Sequence, residues 1–184
     1  MESFVTSLRL SAVTLLVCVG GYVLLILGFA QVLTPDTANG SLVVRSDGSV
    51  VGTRLLAQAF TQPRYFWPRP SAVGFNAAGA GGSNKSPTSP DLTERAKATI
   101  AAHGAGAERP LPADLAAASG SGLDPHFTER GALYQVARVA AARGLPEAQV
   151  RELVLRHAFA PGGGLTHGRL VNVLEVNLAL DGMQ

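Results

Sequence analysis

Between Leu10 and Leu33 the chain reads LSAVTLLVCVGGYVLLILGFAQVL, a run without a single charged residue, flanked by Arg9 on one side and Pro35-Asp36 on the other. At about 1.5 Å of rise per residue this is a helix roughly 36 Å long, set against about 30 Å of bilayer hydrocarbon. It is apolar on every face, which the helix of a soluble core is not over so many turns. It also exceeds the apolar stretch of about 7 to 15 residues that marks a cleavable secretory signal. The expected organisation is a short N-terminal cytoplasmic segment over residues 1–9, a transmembrane helix over 10–33 and one soluble domain over 34–184. The expected fold class is α+β, a single N-terminal membrane helix followed by a mixed α/β domain.

Within the run, Ser7, Thr14, Gly21 and Gly28 recur every seven residues, and Ser11 and Cys18 flank the same face. Lipid gives helices no hydrophobic reason to associate, so they meet where small side chains let backbones approach and hydroxyls bond across. A spacing of seven keeps such a stripe facing a partner at a shallow left-handed crossing. These six residues are the expected partner-helix face. Arg9 and the terminal amine give the N-terminal flank a slight basic excess, since Asp36 precedes Arg45 on the other side. The positive-inside rule then puts the N-terminus inside and the domain outside. Cys18 is the only cysteine, so no disulfide can form within the domain.

The formal net charge is only +2, and the bases are dispersed singly, so nucleic acid is not an expected partner. Ser41 to Arg45 and Ser49 to Gly52 read as a hairpin closed by Asp47-Gly48, and Arg54 to Phe60 as a short strand or helix. Pro63 to Pro90 is an irregular loop whose Tyr65, Phe66, Trp67 and Phe75 read as a local core beneath it. A helix starts at Pro90 after Ser89 and ends by His103-Gly104. Thr128 caps a second helix that stops at Gly144, and Pro146 opens a third, with Val150, Leu153, Val154 and His157 on one face. Leu170 to Leu180 carries apolar residues at even positions apart from Asn172 and reads as a closing strand.

Three groupings carry possible chemistry. Gly79 to Ser86 differs from a phosphate-cradling loop only at Asn84, which makes Gly81, Gly82, Ser83 and Asn84 candidates for nucleotide contact. Such a loop needs a buried strand before it and a helix opening at its lysine, and Pro87 and Pro90 block a helix at Lys85. Ser119 or Ser121 with Asp124 and His126 could suggest a hydrolase, but the strand-elbow-helix setting is missing. The four histidines, His103, His126, His157 and His167, lie far apart and without ligand spacing, so no metal site is expected.

The segments VVGTRLLAQAF, YFWPRPSA, FNAAGAGGSN, PADLAAASGSGLDPH, QVARVAAARGL and RLVNVLEVNLALD, in this order behind one N-terminal span, resemble the C subunit of the Kdp-type ATP-driven potassium transporter of prokaryotes. Lys85 departs from that pattern, in which an apolar residue stands. The resemblance implies a non-catalytic subunit of the prokaryotic plasma membrane, with no cofactor of its own. Its implied partners are a channel-like potassium-translocating subunit, a P-type ATP-hydrolysing subunit and membrane lipid, with ATP, Mg and K as ligands of the complex. It implies a catalytic chaperone that raises the ATP affinity of the hydrolysing subunit. The implied partner-facing loops hold Tyr65, Trp67, Arg69, Ser119, Ser121, Asp124 and His126. The alternative is a membrane-anchored nucleotide-binding enzyme using Gly79 to Ser86.

Overall fold

The computed structural model describes residues 2–165 and 167–183. The chain has one long apolar N-terminal helix followed by a soluble domain of mixed α and β structure. It divides into two compact units, one ending at Leu42 and the other beginning at Val43.

In the first unit, α1 (Glu2–Leu15), a π-helical turn (Leu16–Gly21) and α2 (Tyr22–Leu33) form one continuous helix of 32 residues. It is long and apolar enough to cross a membrane, and no residue of its apolar window is buried. A short helix, α3 (Pro35–Ala38), comes next, an element without a counterpart in the sequence-based expectation; Asn39 Nδ2 donates to Pro35 O at 2.7 Å and closes it.

The expected hairpin begins at the end of the first unit and runs into the second. β1 (Leu42–Val44) pairs with β2 (Val50–Thr53), and Gly48 sits in the turn at a φ of 83° that favours glycine. Arg54 to Phe60 is neither strand nor helix but a turn and an extended run, held where Ala57 N–H donates to Leu123 O at 2.8 Å. The long loop has no regular element before α4 (Pro90–Ala102), which His103 caps and Gly104 follows at a φ of 59°. A single turn, α5 (Ala113–Ala116), then leads to β3 (His126–Thr128).

Thr128 Oγ1 accepts from Gly131 N–H and starts α6 (Glu129–Arg143), which Gly144 stops in the left-handed conformation; Pro146 opens α7 (Glu147–His157). Both helices begin where the sequence predicts, and the first also ends there, because a side-chain acceptor, a left-handed glycine and a proline each act locally. β4 (Ala158–Phe159) and β5 (Leu170–Asn172) complete an antiparallel sheet ordered β3-β5-β4, with Phe127 opposite Val171 and Ala158 opposite Val171.

The expected closing strand is shorter than its pattern suggests and requires correction. Only Leu170–Asn172 is extended, and Val173–Asp181 forms α8. Val173, Val176, Asn177 and Leu180 are all buried, the spacing of a helix face. Asn172 accepts from Glu175 N–H at 3.2 Å and caps the helix, while Glu175 pairs with Arg54 at 3.0 Å. The core joins Phe66, Phe127, Val136, Val150, Val154, Val171 and Leu180 between sheet and helices. Each such fully buried side chain contributes about 1.5–3 kcal/mol of transfer free energy.

Candidate subunit-interaction site

Phe66 is completely buried yet lies in a segment with no strand beside it, so its peptide groups need partners from side chains. Asn177 of α8 supplies both: its Oδ1 accepts from Phe66 N–H at 2.8 Å and its Nδ2 donates to Phe66 O at 3.0 Å. Gln135 of α6 does the same for the next residue, accepting from Trp67 N–H at 2.8 Å and donating to Trp67 O at 3.1 Å. Two buried amides thus imitate a neighbouring strand.

Arginines extend the clamp. Arg138 donates to Pro63 O, Tyr65 O and Gln135 Oε1, with its guanidinium 3.8 Å from the Trp67 ring centre. Burial lowers its pKa to about 10, which leaves it charged at neutral pH. Arg143, whose side chain is fully enclosed, donates to Arg64 O, Leu180 O and Asp181 Oδ1. None of these four residues stood out in the sequence. A signal existed for Gln135, which shares a helix face with Ala132, Val136 and Val139 and is polar where its neighbours are buried.

The next part of the loop packs on the turn before β3. Arg69 reaches Asp114 O at 3.2 Å and Asp124 Oδ2 at 3.0 Å, and Ser71 Oγ donates to Gly122 O at 2.7 Å. Asp124 Oδ1 accepts from the His126 N–H at 3.0 Å and lies 3.3 Å from its ring Nδ1. Burial raises the Asp124 carboxyl, but the hydrogen bonds from His126 and the charges of His126 and Arg69 outweigh it and hold the pKa below the usual carboxylate value. Gly81 N–H donates to Ser121 O at 2.7 Å, and a Cβ on Gly82 would lie 2.9 Å from Gly120 O.

The segments YFWPRPSA, GGSN and SGSGLDPH therefore pack against one another, and Tyr65, Trp67, Arg69, Ser121, Asp124 and His126 are each half-buried or exposed. Ser119 is the exception: it is buried, and its Oγ accepts from Asp124 N–H at 3.5 Å, so it shapes the turn and does not face outward. Ser121 Oγ accepts from Leu123 N–H. Among the described residues, neither hydroxyl bonds to His126.

The glycine-rich loop lacks the geometry of a phosphate cradle. Asn84 does take the left-handed conformation, with a φ of 50°. Gly81 N–H, however, is spent on Ser121, no helix opens at Lys85, and Lys85 pairs with Asp91 at 2.7 Å.

In the apolar helix, Tyr22 N–H bonds to Val17 O, the i→i+5 pattern of a π turn. A turn that holds one extra residue rotates the rest of the helix by about 100°. Ser7, Ser11, Thr14 and Cys18 precede or fall within it, whereas Gly21 closes it and Gly28 lies beyond, so the small residues form two successive faces and not one straight line. A Cβ on Gly28 would meet nothing within 4 Å, and one on Gly21 only Leu16 O at 3.7 Å.

Residues 4–182 match the family model KdpC, described as the c chain of the K+-transporting ATPase. The chain belongs to the KdpC family. A potassium-transporting ATPase KdpC subunit of Parvibaculum lavamentivorans is 64% identical over 181 residues, 98% of this chain and 97% of that one. Those of Sorangium cellulosum and Gloeobacter violaceus are 51% and 43% identical, covering 95% and 100% of this chain and 97% and 98% of theirs. KdpC membership thus extends over the helix and the domain together.

His103, at the end of α4, lies edge-on to Trp67 with ring centres 5.1 Å apart. Burial first, then the charges of Arg138 and Arg109, lower its pKa from 6.5 to about 4. Between those values the unfolded chain binds more protons than the folded one, so stability is full above pH 6.5 and falls as pH drops towards 4. Discounted for its partial exposure, the loss is about 1–2 kcal/mol. Denaturant midpoints of wild type and His103→Gln should diverge across this window, with the variant flatter; parallel curves would show that His103 does not govern the slope.

Proposed function

We propose that the chain is the accessory subunit of an ATP-driven potassium uptake complex. Its helix binds the membrane parts of a potassium-translocating subunit and a P-type ATP-hydrolysing subunit, and its domain stands outside the cell. The observation that carries this reading is the KdpC match over residues 4–182 on a chain with one long apolar helix, in whose apolar window no described residue is buried. The YFWPRP segment is clamped by Gln135, Asn177 and Arg138 and its polar groups are already engaged in hydrogen bonds, which suits a docking face more than a reacting centre. On this topology ATP and the domain lie on opposite sides of the membrane. Any promotion of ATP use therefore passes through the helix as coupling between sites.

A tagged chain co-expressed with the two other subunits should elute with both in mild detergent, and protease added to intact spheroplasts should remove the domain. Elution of the chain alone would contradict the assembly role. A domain protected until the membrane is broken would contradict the orientation.

A further inference from the structure

The face between α4 and the aromatic loop holds a groove of about 430 Å³ that shares Trp67 and Arg69 with the proposed docking face. Phe60, Trp67 and Phe75 supply flat apolar walls, Ala98 leaves room on the helix side, and Arg69, Ser71, Arg95 and His103 are among its polar members. The groove is in the size range of small-molecule sites, which pair apolar walls with a few polar groups that fix orientation. Phe75 is held at a φ of 60°, unusual for a bulky residue, by Ser71 Oγ, which accepts its N–H at 2.9 Å.

Arg95 is the informative residue. Its Nε is buried without a hydrogen-bond partner, an arrangement that leaves a cation poorly compensated. The carboxylates that could serve it are engaged elsewhere. Asp91, one helical turn before it, pairs with Lys85 at 2.7 Å, and Glu94 pairs with Lys97 at 3.0 Å. Arg69, the other guanidinium in the lining, is matched by Asp124 at 3.0 Å. His103 is neutral at pH 7, because burial and two nearby arginines depress its pKa. Among the described residues no carboxylate pairs with Arg95, so the groove presents apolar walls and a guanidinium without an ion pair.

We propose that this groove binds a small monoanionic ligand with a flat apolar body, an aryl or short alkyl carboxylate, whose carboxylate meets Arg95 and whose body lies against Trp67 and Phe75. A guanidinium accepts a carboxylate in bidentate fashion, and aromatic walls take a flat apolar group edge-on or offset.

Trp67 is the only tryptophan in the chain, so its fluorescence reports on this groove alone. The full chain in non-ionic detergent is titrated at constant ionic strength with 3-phenylpropionate, with its neutral amide and with phenethylammonium. The expected result is saturable binding of the carboxylate, at least tenfold tighter than the amide, with the cation weakest. Arg95→Met should reduce carboxylate affinity to that of the amide, leave amide binding unchanged and not lower the thermal midpoint. Ala98→Leu, at an exposed helix position, should block both. Equal affinities for carboxylate and amide, unchanged binding in Arg95→Met, or no saturable signal would each overturn the proposal.

Discussion

Asn177→Leu should lower the thermal midpoint of the soluble domain by about 10 °C, although leucine fills nearly the same space. The amide completes both peptide groups of Phe66, at 2.8 and 3.0 Å, and the residue is 1% exposed. Its loss leaves a buried donor and a buried acceptor unmatched, at about 1–3 kcal/mol each. For a chain of this size each kcal/mol moves the midpoint by about 2–4 °C. The measurement is near-ultraviolet circular dichroism of the full chain on heating. A midpoint within about 2 °C of wild type, the shift of a single kcal/mol at most, would mean that the aromatic segment is held by apolar packing and that the amide is incidental. The same reasoning applies to Gln135, with a further consequence: Arg138 Nη2, 2.7 Å from its Oε1, loses an acceptor as well.

Short-range chemistry is what the sequence predicts well. Thr128 with Gly144 bounds one helix and Pro146 opens the next, because a cap, a left-handed glycine and a proline act within a few residues. The irregular course of Tyr65 to Pro70 is equally readable from its prolines. How that course is anchored is not, since Gln135 and Asn177 stand 68 and 111 residues further along the chain. α8 reads as a strand because Leu170 to Leu180 satisfies alternation and helical spacing alike. Asn172 with Glu175 three residues on is the deciding signal, a cap with an acid at the third helical position. The π turn has no proline to announce it and falls where Gly20-Gly21 constrains the backbone least. Of the residues expected to face a partner, Tyr65, Trp67, Arg69, Ser121, Asp124 and His126 are half-buried or exposed; Ser119 turns inward because its hydroxyl closes a turn with Asp124.

The proposed assembly role assigns the binding energy to the helix, and the double replacement Gly21→Leu and Gly28→Leu addresses that most directly. Leucine is a strong helix former, and at both positions it enters open space or ordinary contact within the helix itself, so insertion and the fold of the domain should be unaffected. A partner helix packed against these glycines would be pushed away, and close packing is the main term holding helices together in lipid. Leu16→Ile serves as the control, since it exchanges one apolar surface for another of equal volume. The measurement is the amount of both pump subunits that elute with the tagged chain, normalised to the chain itself. The double mutant should retain less than about one tenth of the wild-type amount, a loss of about 1.4 kcal/mol or more, while Leu16→Ile matches wild type. Full recovery of both subunits with the double mutant would contradict the account, reduce the helix to a tether and place the binding energy in the domain.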